Sequence, residues 1–440
     1  MYAPRDSPPT SLALGENHSA TVGVLVVRRN PPMRPRLRPI EIIRVPSGRG
    51  DLVTVLRDPE RIAPHAIEVR APLDAALAYL DGRHSVAEIA RLLAQRGSRI
   101  GVLDVERLVA DLEQAAMLEG PTARARKDAL VRAFAASRVR PATHAGGAYH
   151  GEAAALAAYV EDECLGVAPK ANGRGKILGL VAPHMDLWRA AGGYGRSYGA
   201  LRGSLPDRVD TIVVLGTCHA GLHSTFCLTR KAFATPLGDL DVDDGFVSEL
   251  AEASDEDVFA EEYKHKGEHS IEFQCVFLRY LLGDERARAV RIVPILCGLG
   301  RSQIDRSDPG EDPVAERFLG ALGDGLAKRS GRALVVAGAD LAHVGPRFGD
   351  KKPLDGRGRA RLEERDRASL DLAVGRDPGG FFDHVTEDLA SRRVCGTGPL
   401  YTLLRALEGL GVRNGELLSY EQNIDPDEGS IVSHASVVFT

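Results

Sequence analysis

Apolar residues recur along this chain in two rhythms. Uninterrupted apolar, β-rich runs stand at 176–182 (KILGLVA), 211–216 (TIVVLG), 290–296 (VRIVPIL), 333–338 (ALVVAG) and 430–439 (SIVSHASVVF). Between them lie stretches with apolar residues three and four apart: IEFQCVFLRYLL, VAERFLGALGDGLA, ARLEERDRASLDLAV and PLYTLLRALEGL. Short, wholly apolar runs suit strands buried on both faces, and the longer period suits amphipathic helices. Their alternation predicts an α/β fold for residues 138–440, a sheet covered by helices on both sides. The charged, Gly- and Pro-containing stretch 300–314 reads as a loop.

Residues 40–120 follow a different pattern. IEIIRV and DLVTVLRD read as two short strands joined by a Ser-Gly-Arg-Gly turn. Pro72 opens an amphipathic helix, PLDAALAYL, that stops at Asp81-Gly82. Ser85 and Glu88 have capping-box spacing ahead of Ile89, Leu92 and Leu93. A further helix starts near Asp104 and places Val105, Leu108, Val109 and Leu112 on one face. Strands plus short helices predict a small winged-helix-like α+β domain. Residues 121–137, with Arg124, Arg126, Lys127 and Arg132 among Ala and Leu, read as a helical connector. Residues 1–39, including the Pro- and Arg-rich piece Arg28 to Pro39, have no periodicity and are expected to be a disordered linker.

Composition narrows the function classes. The chain has 440 residues, which suggests roughly two domains at ~100–200 residues each. Its 56 Lys and Arg against 61 Asp and Glu give a formal charge of -5, unlike a dedicated nucleic-acid binder. A DNA-binding reading of the winged-helix-like domain has only Arg91 and Arg96 to offer to phosphates on its second helix. No apolar run approaches the ~20 residues that span a bilayer, and Val22 to Val27 is too short for a secretory signal. The six cysteines show no CxxC spacing, so they are expected to be reduced thiols in a cytoplasmic protein.

The chemistry gathers at strand ends. KILGLVA runs into Pro183-His184, TIVVLG into Thr217-Cys218-His219, and ALVVAG into Ala339-Asp340-Leu341-Ala342-His343. Sites in open α/β sheets lie beyond the carboxyl ends of the strands, so three histidines there point to one cleft. Imidazoles supplied by separate strands suit a catalytic metal site, and no G-x-S-x-G elbow or Walker loop competes with that reading. Cys395 precedes Gly396, Gly398 and Pro399 at a helix start, where a thiol is acidified and becomes a metal ligand. Cys218 is its rival, although neighbours in an extended segment point apart. Glu268 and His269, in GEHSIEFQ, sit at the entrance of a helix and are placed to line the same cleft, with helix capping the alternative for Glu268. His223, His265, His384 and His434 have no such context and read as structural or exposed. Asp239, Asp241 and Asp243 lack EF-hand spacing and read as turn residues.

These blocks carry a resemblance. RPATHAGGAY, VAPHMDLWRAAG, VVLGTCHAG, ATPLGDLDVD, EHSIEFQCVFLRYL, VPILCG, GADLAHVG, CGTGPL and SYEQNID, in this order over about 138–440, resemble the Memo family, the B component of the AMMECR–Memo–radical-SAM grouping. The resemblance implies a fold like the class III extradiol dioxygenases. It also implies metal ligands at His184, His219 and Cys395, an acid/base at His343 with Asp340 beside it, and a supporting role for Glu268 or His269. Fe(II) or copper is the implied ion, and a radical-SAM enzyme and an AMMECR-type protein are the implied partners. The small-molecule substrate stays open, and a non-catalytic metal-binding scaffold is the alternative. The chain departs from the family's usual A-P-H-A-G-Y, P-S-H-H and S-D-x-x-H at Met185-Asp186-Leu187, Thr217-Cys218-His219-Ala220 and Ala339, which alters the pocket wall and spares the ligands. The stretch LAYLDGRHSVAEIARLLAQRG resembles PqqD-like peptide-chaperone modules, which implies presentation of a peptide.

Overall fold

The structure is a computed structural model that describes residues 33–46, 52–58, 60–166, 175–205, 208–299 and 305–440. The run Val22–Val27, the turn at 47–50 and residues 300–304 of the expected loop lie outside the described residues.

In the small unit, β1 (Glu41–Pro46), β2 (Leu52–Arg57) and β3 (Ile67–Arg70) pair antiparallel in that order. Helix α1 (Val86–Gln95) starts on the predicted capping box: Glu88 Oε2 accepts the Ser85 N–H at 2.7 Å, and the Ser85 hydroxyl accepts the Glu88 N–H. Helix α2 (Val102–Gln114) buries the four apolar residues expected of it, Val105, Leu108, Val109 and Leu112. Two expectations are corrected. The segment after Pro72 is a 3-10 helix, Leu73–Tyr79, which buries only Ala76 and Leu77; no side chain caps its start, and its ends close on i→i+3 bonds, Ala75 N–H to Pro72 O at 3.3 Å and Leu80 N–H to Leu77 O at 3.2 Å. The expected linker also ends earlier than residue 39. The Leu37 N–H bonds Leu80 O and the Arg38 N–H bonds Met117 O, both at 2.9 Å. The buried Arg38 guanidinium meets Asp58 at 2.7 Å, so a charge pair fastens this strap to the sheet. Helix α3 (Pro121–Ala136) is the connector, and its Phe134 packs edge-on against Tyr263 of the large unit.

The large unit holds an eight-stranded mixed sheet in the order β11-β13-β5-β10-β6-β9-β7, with β12 also paired to β13. Its strands are β5 (Gly179–Ala182), β6 (Thr211–Thr217), β7 (Phe226–Leu228), β9 (Arg291–Cys297), β10 (Ala333–Gly338), β11 (Asp340–Val344), β12 (Gly415–Ile424) and β13 (Ile431–Phe439). β4 (Val139–Arg140) and β8 (Ala232–Phe233) pair separately. β5, β10, β6 and β9 run parallel and form the centre, as their unbroken burial predicts. Beyond α4 (Ala153–Tyr159), α5 (Leu187–Arg202) and α7 (Ser270–Ala287) cover one face, where Phe277 stacks against both Tyr194 and Tyr198, at 4.6 and 4.7 Å. Helices Pro313–Lys328, Gly356–Val374 and Thr397–Glu408 pack into the core of the other face. α6 (Asp244–Ala253) is capped by Asp243, whose carboxylate accepts the Phe246 N–H at 2.9 Å, so that acidic stretch is a helix start. Among the described residues no helix is long and apolar enough to cross a membrane.

β11 and β12 were not expected as strands. Asp340–Val344 reads as the polar tail of β10 yet pairs with β13, breaking register between Asp340 and His343. β12 is polar and half-buried along most of its length, so it lacks the apolar run that marks the central strands.

Candidate metal centre

Parallel pairing explains why distant histidines meet. β5 and β6 flank β10, with Ala182 and Gly216 both in register with Gly338. The strands therefore end level, and His184 and His219, two and three residues further on, project at one edge on either side of β10. α7 closes this edge from above. A Cβ on Gly338 would lie 2.4 Å from Ser270 O, so only glycine admits the helix start here. The loop before Thr397–Glu408 closes it from below. The Gly396 N–H bonds Asp340 O at 3.0 Å, and a Cβ there would clash with that oxygen at 2.4 Å. Thr217 Oγ1 donates to Cys395 O at 2.8 Å and completes the tie.

The side chains converge accordingly. Ring centroids of His184, His219 and His269 lie 5.0, 5.5 and 4.6 Å apart, and one ligand atom from each falls within 4.8 Å of the others. His184 Nδ1 lies 2.9 Å from Gly338 O, which fixes the N–H on Nδ1 and leaves Nε2 free to ligate. Cys395 Sγ stands 3.2 Å from that Nε2. Nitrogen and sulfur ligands on one ion would be roughly 3.1–3.6 Å apart at ordinary bond lengths and angles, so the donors fit a metal. Glu268 Oε1 lies 3.0 Å from His219 Nδ1, and Oε2 accepts the His219 N–H at 2.7 Å, orienting that ring in the same way. Oε1 also accepts the Ser270 N–H at 3.0 Å, so Glu268 both caps α7 and holds a ligand candidate.

Electrostatics follows from these contacts. Burial alone would raise the Cys395 pKa, but the neighbouring charge of His184, then that of His343, pulls it down to about 5. Burial opposes protonation of His184, yet Cys395 and Asp340 lift it to about 9, so without metal the two form a thiolate–imidazolium pair. Burial pushes His269 down to about 3 against the pull of Glu268, and its ring is neutral at pH 7. Burial also opposes ionisation of Glu268, but His219 holds its carboxyl well below the ordinary range. Cys218 turns away: its Sγ lies 3.6 Å from Gly221 O, and burial lifts its pKa to about 12. All six cysteines are free, and Cys395 alone of them is not fully buried. In metal-free protein, iodoacetamide should therefore label Cys395 with a pH midpoint near 5 and leave the other five unmodified. Peptide mapping that finds Cys395 reacting only above pH 8 would remove the thiolate.

Not every predicted contact forms. Asp340 Oδ1 accepts the His184 N–H at 3.0 Å and Oδ2 lies 3.6 Å from His184 Nε2, so Asp340 steadies His184. No hydrogen bond joins Asp340 to His343 among the described residues, because the register break in β11 turns His343 toward Phe348, ring to ring at 5.1 Å. His343 Nδ1 lies 3.1 Å from Leu341 O, which leaves Nε2 for proton exchange. His434, set aside in the sequence, is buried in β13 opposite Asp340 with Glu421 4.0 Å away. Three residues escaped sequence reasoning. His144 sits edge-on to His269 at 5.6 Å, its Nδ1 2.8 Å from Glu272, and Glu272 also bonds the fully buried Arg140. Arg140 Nη2 in turn bonds Glu268 O at 2.6 Å. The only signals for them were the block RPATHAGGAY, which holds Arg140 and His144 and has no strand-end context, and the block EHSIEFQCVFLRYL, which holds Glu272.

Comparison with known proteins bears on this cleft. A protein-family model described as Memo-like protein matches residues 140–438. A MEMO1 family protein of Aquifex aeolicus is 31% identical over 300 residues, 68% of this chain and 72% of its own. One from Methanosarcina mazei is 29% identical over 269 residues, 60% of this chain and 86% of its own. A solved structure, uncharacterized protein JW3007 from Escherichia coli K12, aligns over 60% of this chain and all of its own at 18% identity and TM-score 0.32, a likeness too slight to bear on fold or site.

Proposed function

Since this chain belongs to the Memo-like protein family, we propose that its cleft is a mononuclear metal centre with His184, His219 and Cys395 as ligands, serving a redox enzyme of extradiol-dioxygenase type. The observation that carries the reading is the Cys395 thiolate 3.2 Å from His184 Nε2, with Nδ1 of that ring already committed to Gly338 O. A soft thiolate with two imidazoles suits iron or copper. When bound, such an ion supplies Lewis acidity and one-electron chemistry to a chelating small molecule. The chain's own residues do the rest. Glu268 and Asp340 fix the ligand rings, the neutral His269 lines the substrate side, and His343 takes or returns a proton at Nε2.

The small unit fits the same picture as a PqqD-like, winged-helix-like module that presents a peptide to a radical-SAM enzyme, with an AMMECR-type protein as a further partner in the cytoplasm. What supports it is the capped helix pair packed with a three-stranded sheet.

Anaerobic purification with metal analysis and an electronic spectrum tests the centre. We expect about one ion per chain and a thiolate-to-metal charge-transfer band that disappears in Cys395→Ser. A wild-type band that survives this change sinks the thiolate ligand. Loaded protein that consumes no O2 with any phenolic or small organic substrate, yet captures a radical-SAM enzyme equally well with and without metal, would favour the scaffold reading over the enzyme.

A further inference from the structure

Glu272 stands in the first turn of α7, three residues after His269, and is fully buried. A carboxylate in such a place needs hydrogen-bond partners, and it has them. Arg140 and the Tyr149 hydroxyl donate to it, Thr143 Oγ1 does so at 3.2 Å, and Arg140 also supplies the balancing charge. Two further contacts go to one residue. Oε1 accepts the His144 N–H at 3.0 Å, and Oε2 lies 2.8 Å from His144 Nδ1. An ionised carboxylate only accepts, so the hydrogen of this second contact sits on Nδ1. Held by backbone and ring at once, His144 has a set position and a set tautomer.

Its other nitrogen is left over: among the described residues, Nε2 of His144 makes no hydrogen bond. The edge that carries Nδ1 rests on Glu272, which is wholly shielded, whereas the His144 side chain is 17% exposed, so the open edge is the one that carries Nε2. This ring borders the metal cleft. It meets His269 edge-on at 5.6 Å, and His269, itself 28% exposed, stacks on His219 at 4.6 Å and stands edge-on to His184 at 5.5 Å. A single ring therefore separates His144 from both imidazoles assigned to the ion. A carboxylate on one nitrogen with the second nitrogen open is the arrangement that makes an imidazole a proton acceptor, because the carboxylate sets the tautomer and stabilises the cation that forms. His343, by contrast, has the carbonyl of Leu341 at Nδ1, which orients the ring and offers it no charge.

We propose that His144, oriented by Glu272, is a proton acceptor for the ligand bound in the cleft and takes a hydroxyl proton from it at Nε2. The ligand's O–H bond breaks, its electron pair stays on the oxygen, and an N–H bond forms at Nε2. Glu272 balances the imidazolium, and the proton leaves to water from the open edge of the ring. His144 is then a catalytic residue and Glu272 a positioning residue. The ligand's presence beside His269 rests on the metal-centre reading; the Glu272–His144 pair does not.

Anaerobic titration of the iron(II)-loaded full chain with 4-nitrocatechol tests this, because the colour of that probe reports how many hydroxyl protons it has lost. Wild type should bind it fully deprotonated. His144→Ala and His144→Phe, verified as folded by circular dichroism, should bind it about tenfold more weakly and leave one hydroxyl protonated. Added imidazole should restore the fully ionised spectrum in His144→Ala and fail to do so in His144→Phe, whose ring fills the space; a packing role would show no such rescue. Glu272→Gln keeps the shape and loses the charge, so it should give a mixture of the two spectra. Elemental analysis separates this proposal from the metal centre: protein without metal whose bound probe still loses its proton in wild type and keeps it in His144→Ala defeats the centre and upholds His144. Wild-type spectrum and affinity in both His144 variants overturn the proposal, as does wild type that leaves the bound probe protonated or does not bind it.

Discussion

Replacing His184 or His219 with Ala is expected to take the protein from about one bound ion per chain to almost none. Each change deletes a donor whose partner nitrogen is already fixed, by Gly338 O for His184 and by Glu268 for His219. Glu268→Gln is a graded control. It leaves all donors in place and loosens the His219 ring, so metal affinity should fall by about 10–100-fold without vanishing. His269→Ala separates two ligand sets that the geometry offers. His184, His219 and His269 bring ligand atoms within 4.8 Å of one another, whereas Cys395 is placed by its contact with His184. Loss of metal in Cys395→Ser with retention in His269→Ala assigns the thiolate; the reverse pattern assigns three imidazoles. Elemental analysis of the purified variants, with circular dichroism to verify folding, reads both. Full metal content in His184→Ala or His219→Ala would falsify the centre.

Arg140→Met should destabilise the fold by about 3–5 kcal/mol in chemical denaturation, because it strands the Glu272 carboxylate in the interior. Arg140 and Glu272 are both fully buried and bonded to each other. Glu272 also accepts the His144 N–H at 3.0 Å and a hydrogen bond from the Tyr149 hydroxyl. Changing both partners, Arg140→Met with Glu272→Met, should cost less than Arg140→Met alone, since no uncompensated charge remains. A loss below about 1 kcal/mol in Arg140→Met would show that the pair does not hold the loop. pH supplies an independent check. Burial opposes ionisation of Glu272, but the His144 hydrogen bond and the Arg140 charge bring its pKa down to about 2. A depressed acid stabilises the fold fully above its unfolded value of about 4.3 and loses that contribution as pH falls toward and through about 2. Acid destabilisation over that window should therefore be blunted in Glu272→Met. Because Arg140 also bonds Glu268 O and His265 O, the same variant should loosen the metal cleft.

The sequence by itself determined the central sheet and most of its cover. β6, β9, β10 and β13 announce themselves as continuous apolar runs because they are buried on both faces, and α1 announces its start because its cap is local chemistry between Ser85 and Glu88. The histidines at strand ends were legible for a related reason. In a parallel sheet the strand end is itself a landmark, so a polar residue just past an apolar run is already placed in space. Tertiary structure alone decided the rest. It decided that Asp340 serves His184 and leaves His343, because a register break in β11 cannot be read from side-chain type. It brought Arg140, His144 and Glu272 together across more than a hundred residues, where no period or spacing relates them. It also set Arg61 against Thr143 O at 2.9 Å, since a contact between residues so far apart in the chain depends on how surfaces dock, and local sequence rules describe only neighbours along the chain.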